Sequence, residues 1–400
     1  MSPREDSAVA SAAEAARWLF VDGASAFGGH EVMLLRWLEE LASERATAKF
    51  LLARAGSTLA REASRHAQVI ELPPQRAGRL ASMVGALRDT AEFVRAIFTI
   101  RPQVCVIAEG CLLAQPLFVL LARLLRQRVV VYVPLVQTSA SMGFGSARVR
   151  DGLVRAIYAH VPHAWLTLTR EQAQDFRAWA GVRRPILVLP NTVSSAIEHR
   201  GARASRMPTH AADGPLRILV LGRIEAHQKG LDTLMEYLAA HPEFGARMSV
   251  TFVGSGPYEP SIRERLSSDP ALAGWVSLRP WSPPIDALEA HDVLLMTSRY
   301  EGVPLVMLEA MALGVPVVAP DLDGTRAFLQ RSELFPAQDM AAAFRILERM
   351  AASDVRRATA ERNRATFAAS ASNAAFGIAV RALTQELRRL SSASLRQRSA

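Results

Sequence analysis

Arg299-Tyr300-Glu301-Gly302-Val303-Pro304-Leu305-Val306-Met307-Leu308-Glu309 is the stretch whose reading decides the fold. The run 293–296 just ahead of it is short, apolar and bounded by polar residues, as a buried parallel strand would be. Pro304 suits the first turn of a helix, where a missing N–H leaves no bond unmade. The pattern therefore predicts a strand, a loop and a helix, with Glu301 in the loop and Glu309 about two helical turns further on. The N–H groups of Gly302 and Val303, at the helix start, favour an anion. Two carboxylates that accept sugar hydroxyls beside an anion-friendly helix start suit a nucleotide sugar. Either glutamate alone would read as a solvated side chain; the shared strand, loop and helix favour a site.

The stretch resembles the Glu-x7-Glu element of retaining GT-B glycosyltransferases of family 4, the glycosyl transferases group 1. Agreement continues through Ala310-Met311-Ala312-Leu313-Gly314-Val315-Pro316-Val317-Val318-Ala319, with Gly314 closing the helix and 315–319 forming the next strand. The resemblance implies an α/β fold of two Rossmann-like, doubly wound domains facing a cleft. It implies a nucleoside diphosphate sugar as donor, bound mainly by the second domain. Glu309 would hold the donor ribose and Glu301 the transferred hexose, with Gly302, Val303, Pro304 and Leu305 lining the donor.

Composition sets the outer limits. A chain of 400 residues exceeds one ordinary core, so two domains or more are expected. Residues 1–15 are polar, acidic and Ala-rich without the apolar core of a secretory signal, and read as a disordered leader. The two cysteines, Cys105 and Cys111, indicate neither a metal site nor a disulfide framework, which points to a reducing cytoplasm. The most lipid-like run, 112–125, contains Gln115 and Pro116 and falls short of the about 20 residues a membrane span needs. The formal charge of +9 suits polyanionic substrates or peripheral contact with an anionic membrane, at its cytoplasmic face. With aromatics at 6% and no basic cluster interleaved with them, nucleic acid is not an expected partner.

Taken in order, 18–21 reads as a strand feeding a glycine-bearing loop, Asp22 to Glu31, and an amphipathic helix over 32–41. Gly28 and Gly29 permit a close backbone approach or a tight turn. They resemble the family's Gly-Gly-x-Glu loop, which approaches donor phosphates and acceptor, with His30 at the variable position, by default a surface histidine and otherwise an acceptor or phosphate contact. Strands at 50–53, 69–72, 104–108, 129–133, 165–168 and 186–189 alternate with helical patterns, the rhythm of a parallel sheet covered on both faces. A first domain over 16–192 follows. Its end, Leu189-Pro190-Asn191-Thr192-Val193, resembles a Pro-Asn-Gly-Val turn with Thr192 in place of glycine, and Asn191 is a candidate contact.

Residues 193–214 read as a linker and 215–370 as the second domain, leaving 371–400 as a C-terminal helix expected to pack on the first domain. The second domain opens with a strand at 217–221, then Gly222-Arg223, a loop to Lys229-Gly230 and a helix. The chain has only two lysines, Lys49 and Lys229, amid many arginines. Two cations six residues apart, the second beside a helix start, can fold around a diphosphate. The family carries Arg and Lys in this arrangement to neutralise the leaving diphosphate without a metal, which makes Arg223, Lys229 and Glu301 the catalytic candidates. Gly254, in Phe252-Val253-Gly254-Ser255-Gly256-Pro257, matches the family's strand-end glycine beside the donor. Trp281 can stack on a base or pack under its loop, the second being favoured, and Gly324-Thr325 is expected to offer backbone N–H groups and a hydroxyl to phosphates. Asp321-Leu322-Asp323 spells the metal motif of a different transferase fold, but its place after a strand speaks against that use, and no metal is expected.

The function implied is a hexosyltransferase acting on a glycan or lipid-linked glycan, in bacterial surface polysaccharide or glycolipid synthesis. Many relatives place a histidine after the strand here at 129–133, where this chain reads Pro134-Leu135-Val136-Gln137-Thr138, leaving Gln137 or Thr138 as the polar candidate. That departure keeps a rival open, a donor-binding protein that has lost transfer and serves in assembly or regulation. A nucleotide-sugar epimerase would need further acid and base groups that the sequence does not supply.

Overall fold

Short β-branched runs separated by helix-forming segments build two parallel sheets. The computed structural model describes residues 16–24, 27–42, 47–74, 79–203 and 214–398; the expected leader lies outside them. The chain divides into two units, residues 1–189 with 377–400, and residues 190–376.

The first unit runs β1 (Ala16–Asp22), α1 (Gly29–Ala42), β2 (Thr47–Arg54), α2 (Thr58–Ala63), β3 (Gln68–Leu72) and α3 (Arg79–Ile100). It continues with β4 (Val104–Ala108), α4 (Pro116–Leu124), β5 (Val129–Tyr132), α5 (Ala147–Ala156), β6 (Ala164–Thr167), α6 (Arg170–Ala180) and β7 (Ile186–Val188). The sheet order is β3-β2-β1-β4-β5-β6-β7, so chain connections leave β1 and β4 in opposite directions. Strand residues alternate between two helical layers. Leu19, Ile107 and Val131 pack with Phe93, Phe118, Tyr158 and Phe176, whereas Phe20 meets Trp37 of α1 edge-on at 5.1 Å.

The second unit runs α7 (Ser195–Arg203), β8 (Leu216–Leu221), α8 (Leu231–Ala240), β9 (Met248–Val253), α9 (Glu259–Ser268), α10 (Pro270–Ala273) and β10 (Val276–Arg279). Then follow α11 (Pro284–Glu289), β11 (Val293–Leu295), α12 (Leu305–Leu313), β12 (Val317–Pro320), α13 (Asp323–Arg326), β13 (Leu334–Phe335), α14 (Met340–Met350) and α15 (Ser353–Ser370). Its order is β10-β9-β8-β11-β12-β13, with the same reversal between β8 and β11. A last helix, α16 (Asn373–Arg398), runs from this unit into the first, where Arg381 reaches Glu40 at 3.4 Å.

Part of the expected linker is helix. Ser195–Arg203 forms α7, with Ile197 buried, and residues 204–213 lie outside the described set. Gly201 explains why this short helix docks: a Cβ there would stand 2.0 Å from the carbonyl oxygen of Ala312, so only glycine lets α7 lie against α12. The quoted stretch does form strand, loop and helix, but Pro304 takes the cap position and α12 begins at Leu305. An apolar helix on all sides needs cover on all sides, and α12 finds it against α7, α11 and α15.

Candidate functional site

In an open parallel sheet, neighbouring strands whose connections leave in opposite directions open a crevice at their C-terminal ends. In the second unit that place lies between β8 and β11. A small, half-open pocket forms there, lined by Gly222, Arg223 and Lys229 from the loop after β8, Thr297 and Ser298 after β11, and Val306 of α12. Glycines make it possible. A Cβ on Gly254, at φ 152°, would sit 1.8 Å from the Gly222 carbonyl oxygen, and one on Gly230, at φ 65°, would sit 2.2 Å from that of Thr297. Gly324 in turn would strike Gly302. Bare backbone thus presses four loops together at one edge of the sheet.

The charged side chains are held by this frame. Lys229 Nζ donates to Glu301 Oε1, and Ser298 Oγ donates to the same oxygen at 2.9 Å. Thr297 Oγ1 ties to the Lys229 carbonyl at 2.8 Å. Arg223 is exposed and donates to Gln228 Oε1 at 2.5 Å. The loop between them is pinned by Arg299, which donates to the carbonyls of Ala226 and His227 and pairs with Asp232 at 2.8 Å. Sequence reading quoted Arg299 without giving it this scaffolding task; its distance from residue 232 along the chain hid the pair. The free N–H groups at the start of α12 belong to the residues after Pro304, and Leu308 is the first to donate back, to Pro304. Val306 therefore brings the helix start to the pocket, whereas Val303 is buried with its carbonyl accepting from Asn191 Nδ2 at 2.7 Å. The expected anion donors shift onward because proline's fixed φ serves the cap.

The first unit carries a second constellation at its own reversal point, between β1 and β4. Gln115 Oε1 accepts from Gly23 N at 3.0 Å and its amide donates to Ala108 O at 2.6 Å, joining the loops after the two strands. His30 Nε2 lies 3.3 Å from Asp22 Oδ2 and 3.1 Å from Glu31 Oε1. Burial works to lower the His30 pKa, but the hydrogen bond and charge of Asp22 and the charge of Glu31 outweigh it and raise it. An imidazolium between two carboxylates accounts for the cluster, although the three side chains bring ligand-type atoms within 4.8 Å of one another and so could hold a cation. Gly28 and Gly29 open α1, and Gly28 N donates to Glu31 Oε2 at 2.8 Å. Glu109, after β4, is buried; burial pushes its carboxyl up to about 7, against hydrogen bonds from Tyr158 and the Gln115 N–H. Asp22, Glu109 and Gln115 were not singled out from sequence, though the strand ends they follow were.

Residues 215–352 match the family model of glycosyl transferases group 1. The second unit belongs to that family. Over 161 residues the chain is 32% identical to the D-inositol 3-phosphate glycosyltransferase of Acidothermus cellulolyticus, across 37% of this chain and 36% of that protein. The match spans little more than a third of the length of the first curated relatives; others are named for amylovoran, colanic acid and lipopolysaccharide core biosynthesis. Sucrose-phosphate synthase of Thermosynechococcus elongatus superposes with a TM-score of 0.74 at 19% identity, over 94% of this chain and all of that one. Anabaena Alr3699/HepE, in complex with UDP and glucose, superposes with a TM-score of 0.68 at 14% identity, over 92% of this chain and 99% of that one. At such identities the likeness is one of fold, and the fold is GT-B, with two doubly wound α/β units.

Within the group 1 unit, Glu309 is the one charged residue of α12. It is not among the residues lining the Arg223–Lys229 pocket. Burial raises its carboxyl from 4.5 to about 7. A carboxyl raised on folding is stabilised in its neutral form, so folded-state stability is largest below the unfolded value and declines as pH rises through 7. The shift corresponds to roughly 3 kcal/mol. The ligand-free melting temperature is expected to fall between about pH 5 and 8, and Glu309→Gln to flatten that fall. Parallel profiles for the two proteins would place its cause elsewhere.

Packing and hydrogen bonding bear on the remaining expectations. Trp281, expected under its loop, is 62% exposed. The Thr325 hydroxyl, expected to face phosphates, is buried and donates to Pro320 O at 2.5 Å. Asn191, a candidate contact, is buried and spends its amide on the loop before α12. In the first unit Gln137 accepts from Ser141 Oγ at 3.1 Å, within its own loop. Asp321 and Asp323 both pair with Arg326, at 2.7 and 3.1 Å.

Proposed function

We propose that the protein is a retaining glycosyltransferase that moves a hexosyl unit from a nucleoside diphosphate sugar to a hydroxyl of a glycan or lipid-linked glycan, in bacterial surface polysaccharide or glycolipid synthesis. It works without a metal, in the cytoplasm at the inner face of the membrane. The observation that supports this most is the pairing of Arg223 and Lys229 in one pocket at the β8–β11 reversal, beside the start of α12. The family of residues 215–352 and the names of the relatives support the donor and product classes.

As the bond from the anomeric carbon to the leaving phosphate oxygen breaks, negative charge grows on the diphosphate. Arg223, Lys229 and the free N–H groups of α12 meet that charge with donors already in place, which lowers the barrier without reorganisation. Glu301 orients Lys229 and accepts from a hexose hydroxyl; Glu309 accepts from the ribose. The departing phosphate oxygen takes the proton of the incoming hydroxyl on the same face of the sugar, and the anomeric configuration is kept. His30 contacts the acceptor.

Incubation with UDP-, GDP- and ADP-hexoses and a lipid-linked glycan, with detection of free diphosphate and the product anomer by NMR, tests the reading. Release of one nucleotide with a retained linkage, unaffected by EDTA, is expected. An inverted linkage contradicts the stereochemistry, loss of turnover in EDTA contradicts the metal-free step, and no turnover with any donor returns the protein to the class of donor-binding partners.

A further inference from the structure

Two helices of the first unit turn apolar side chains toward solvent on one face. Both α4 and α5 bury their inner residues in one core cluster, Phe118 and Val119 from the first and Val154 from the second, together with Val131 of β5. They therefore lie on the same side of the sheet, as right-handed crossovers from β4 to β5 and β5 to β6 require. Their outer faces are apolar as well. On α4, Leu117, Leu120 and Leu124 follow helical spacing, the last 77% exposed. On α5, Val149 and Leu153 form a second row that Ile157 extends, with Val149 74% exposed. Rows of exposed apolar side chains on two helices of one layer mark a contact surface.

Unbalanced positive charge lies alongside. An open groove beside α5 and α6 is lined by Arg155, Arg183 and Arg184, with Trp179 and His160. Among the described residues none of these three arginines makes an ion pair. Burial, and then the charges of nearby Arg184 and Arg128, lower the hold of Arg123 on its proton. His163, which accepts from Val129 N at 3.0 Å, is pushed down to about 4 by burial and then by the same three arginines. The cations gather where β5, β6 and β7 begin, at the sheet edge opposite the loops that carry Asp22 and His30. No described helix is long and apolar enough to cross a membrane.

We propose that this face is a peripheral docking surface for anionic lipid, in which the apolar rows of α4 and α5 enter the headgroup boundary while Arg155, Arg183 and Arg184 hold lipid phosphates. Apolar rows flanked by cations are the pattern of a surface that lies on a bilayer, and anionic headgroups supply the charge these arginines lack. The proposal deepens the reading of a lipid-linked acceptor, yet vesicle binding needs neither donor nor transfer, so the two can fail separately.

Flotation of the full-length protein is measured with vesicles of phosphatidylcholine alone and with about a third phosphatidylglycerol, at low and high salt. The protein is expected to float with the anionic vesicles only, and less at high salt. Leu153→Asp with Ile157→Asp, and separately Arg183→Glu with Arg184→Glu, are expected to lower binding by about tenfold or more each. Both pairs change exposed side chains, and unchanged circular dichroism and melting confirm the fold. Equal flotation by wild type and both variants overturns the proposal. So does binding to soluble polyphosphate that matches vesicle binding and survives loss of the apolar row, which would make this a polyanion site. A concentration-dependent dimer abolished by the Leu153 and Ile157 changes also overturns it, assigning the face to self-association.

Discussion

Replacing Lys229 by alanine is expected to lower turnover by about 10²–10³. Lys229 is one of the chain's two lysines, lines the pocket at the reversal point, and bonds to Glu301. Its charge acts on the diphosphate chiefly as the glycosidic bond breaks, so kcat should fall more than KM rises. Loss of the amine also leaves a buried carboxylate with Ser298 as its remaining side-chain donor among the described residues, which costs about 1–3 kcal/mol of stability. Lys229→Arg keeps the charge but exchanges a compact ammonium for a broad fork, and recovers part of the rate. Steady-state kinetics on folded variants decide the matter; a Lys229→Ala protein with wild-type kcat rules out the leaving-group role.

Gly254→Ala is the second large effect. At φ 152° an L-residue is strained, and the new Cβ would stand 1.8 Å from the carbonyl oxygen of Gly222, a backbone atom that cannot rotate away. Gly222 N and Ile224 N donate to Val253 O and Ser255 O, so moving one loop moves the other and carries Arg223 with it. A loss of about 2–4 kcal/mol follows, seen as a fall in melting temperature of roughly 5–15 °C, with weaker diphosphate binding in whatever remains folded. Gly214→Ala, where nothing lies within 4 Å of the new atom, is the control and should melt like wild type. Equal melting of Gly254→Ala and the control would show that the two loops are not pressed together.

What the sequence disclosed is what short-range chemistry controls. The β-branched runs became strands within one to three residues, and Gly314 closed α12 in the left-handed region at φ 75°. Arg223 and Lys229 were legible because strand, glycine and helix start stand close together in the chain. What stayed hidden depends on distant partners. Arg299 looks like a surface cation until Asp232 and two carbonyls are seen around it. Thr325 and Asn191 look available until burial shows the hydroxyl bonded to Pro320 and the amide nitrogen to Val303. Gln115 meets Gly23, next to Asp22, only when β1 and β4 become neighbours, which composition and spacing do not reveal. Trp281 went the other way, since an aromatic side chain in a loop gives no local sign of whether anything covers it.

The binding counterpart of the first prediction bears most directly on the claim that fixed charge at the β8–β11 reversal grips a diphosphate. Calorimetric titration compares the nucleoside diphosphate whose sugar the protein uses with the corresponding monophosphate, on wild type and on Lys229→Ala. The diphosphate should bind wild type at least about tenfold more tightly than the monophosphate, a gap of about 1.4 kcal/mol, and the gap should close in the variant. A diphosphate preference that survives the loss of Lys229, or none in the wild type, contradicts the account.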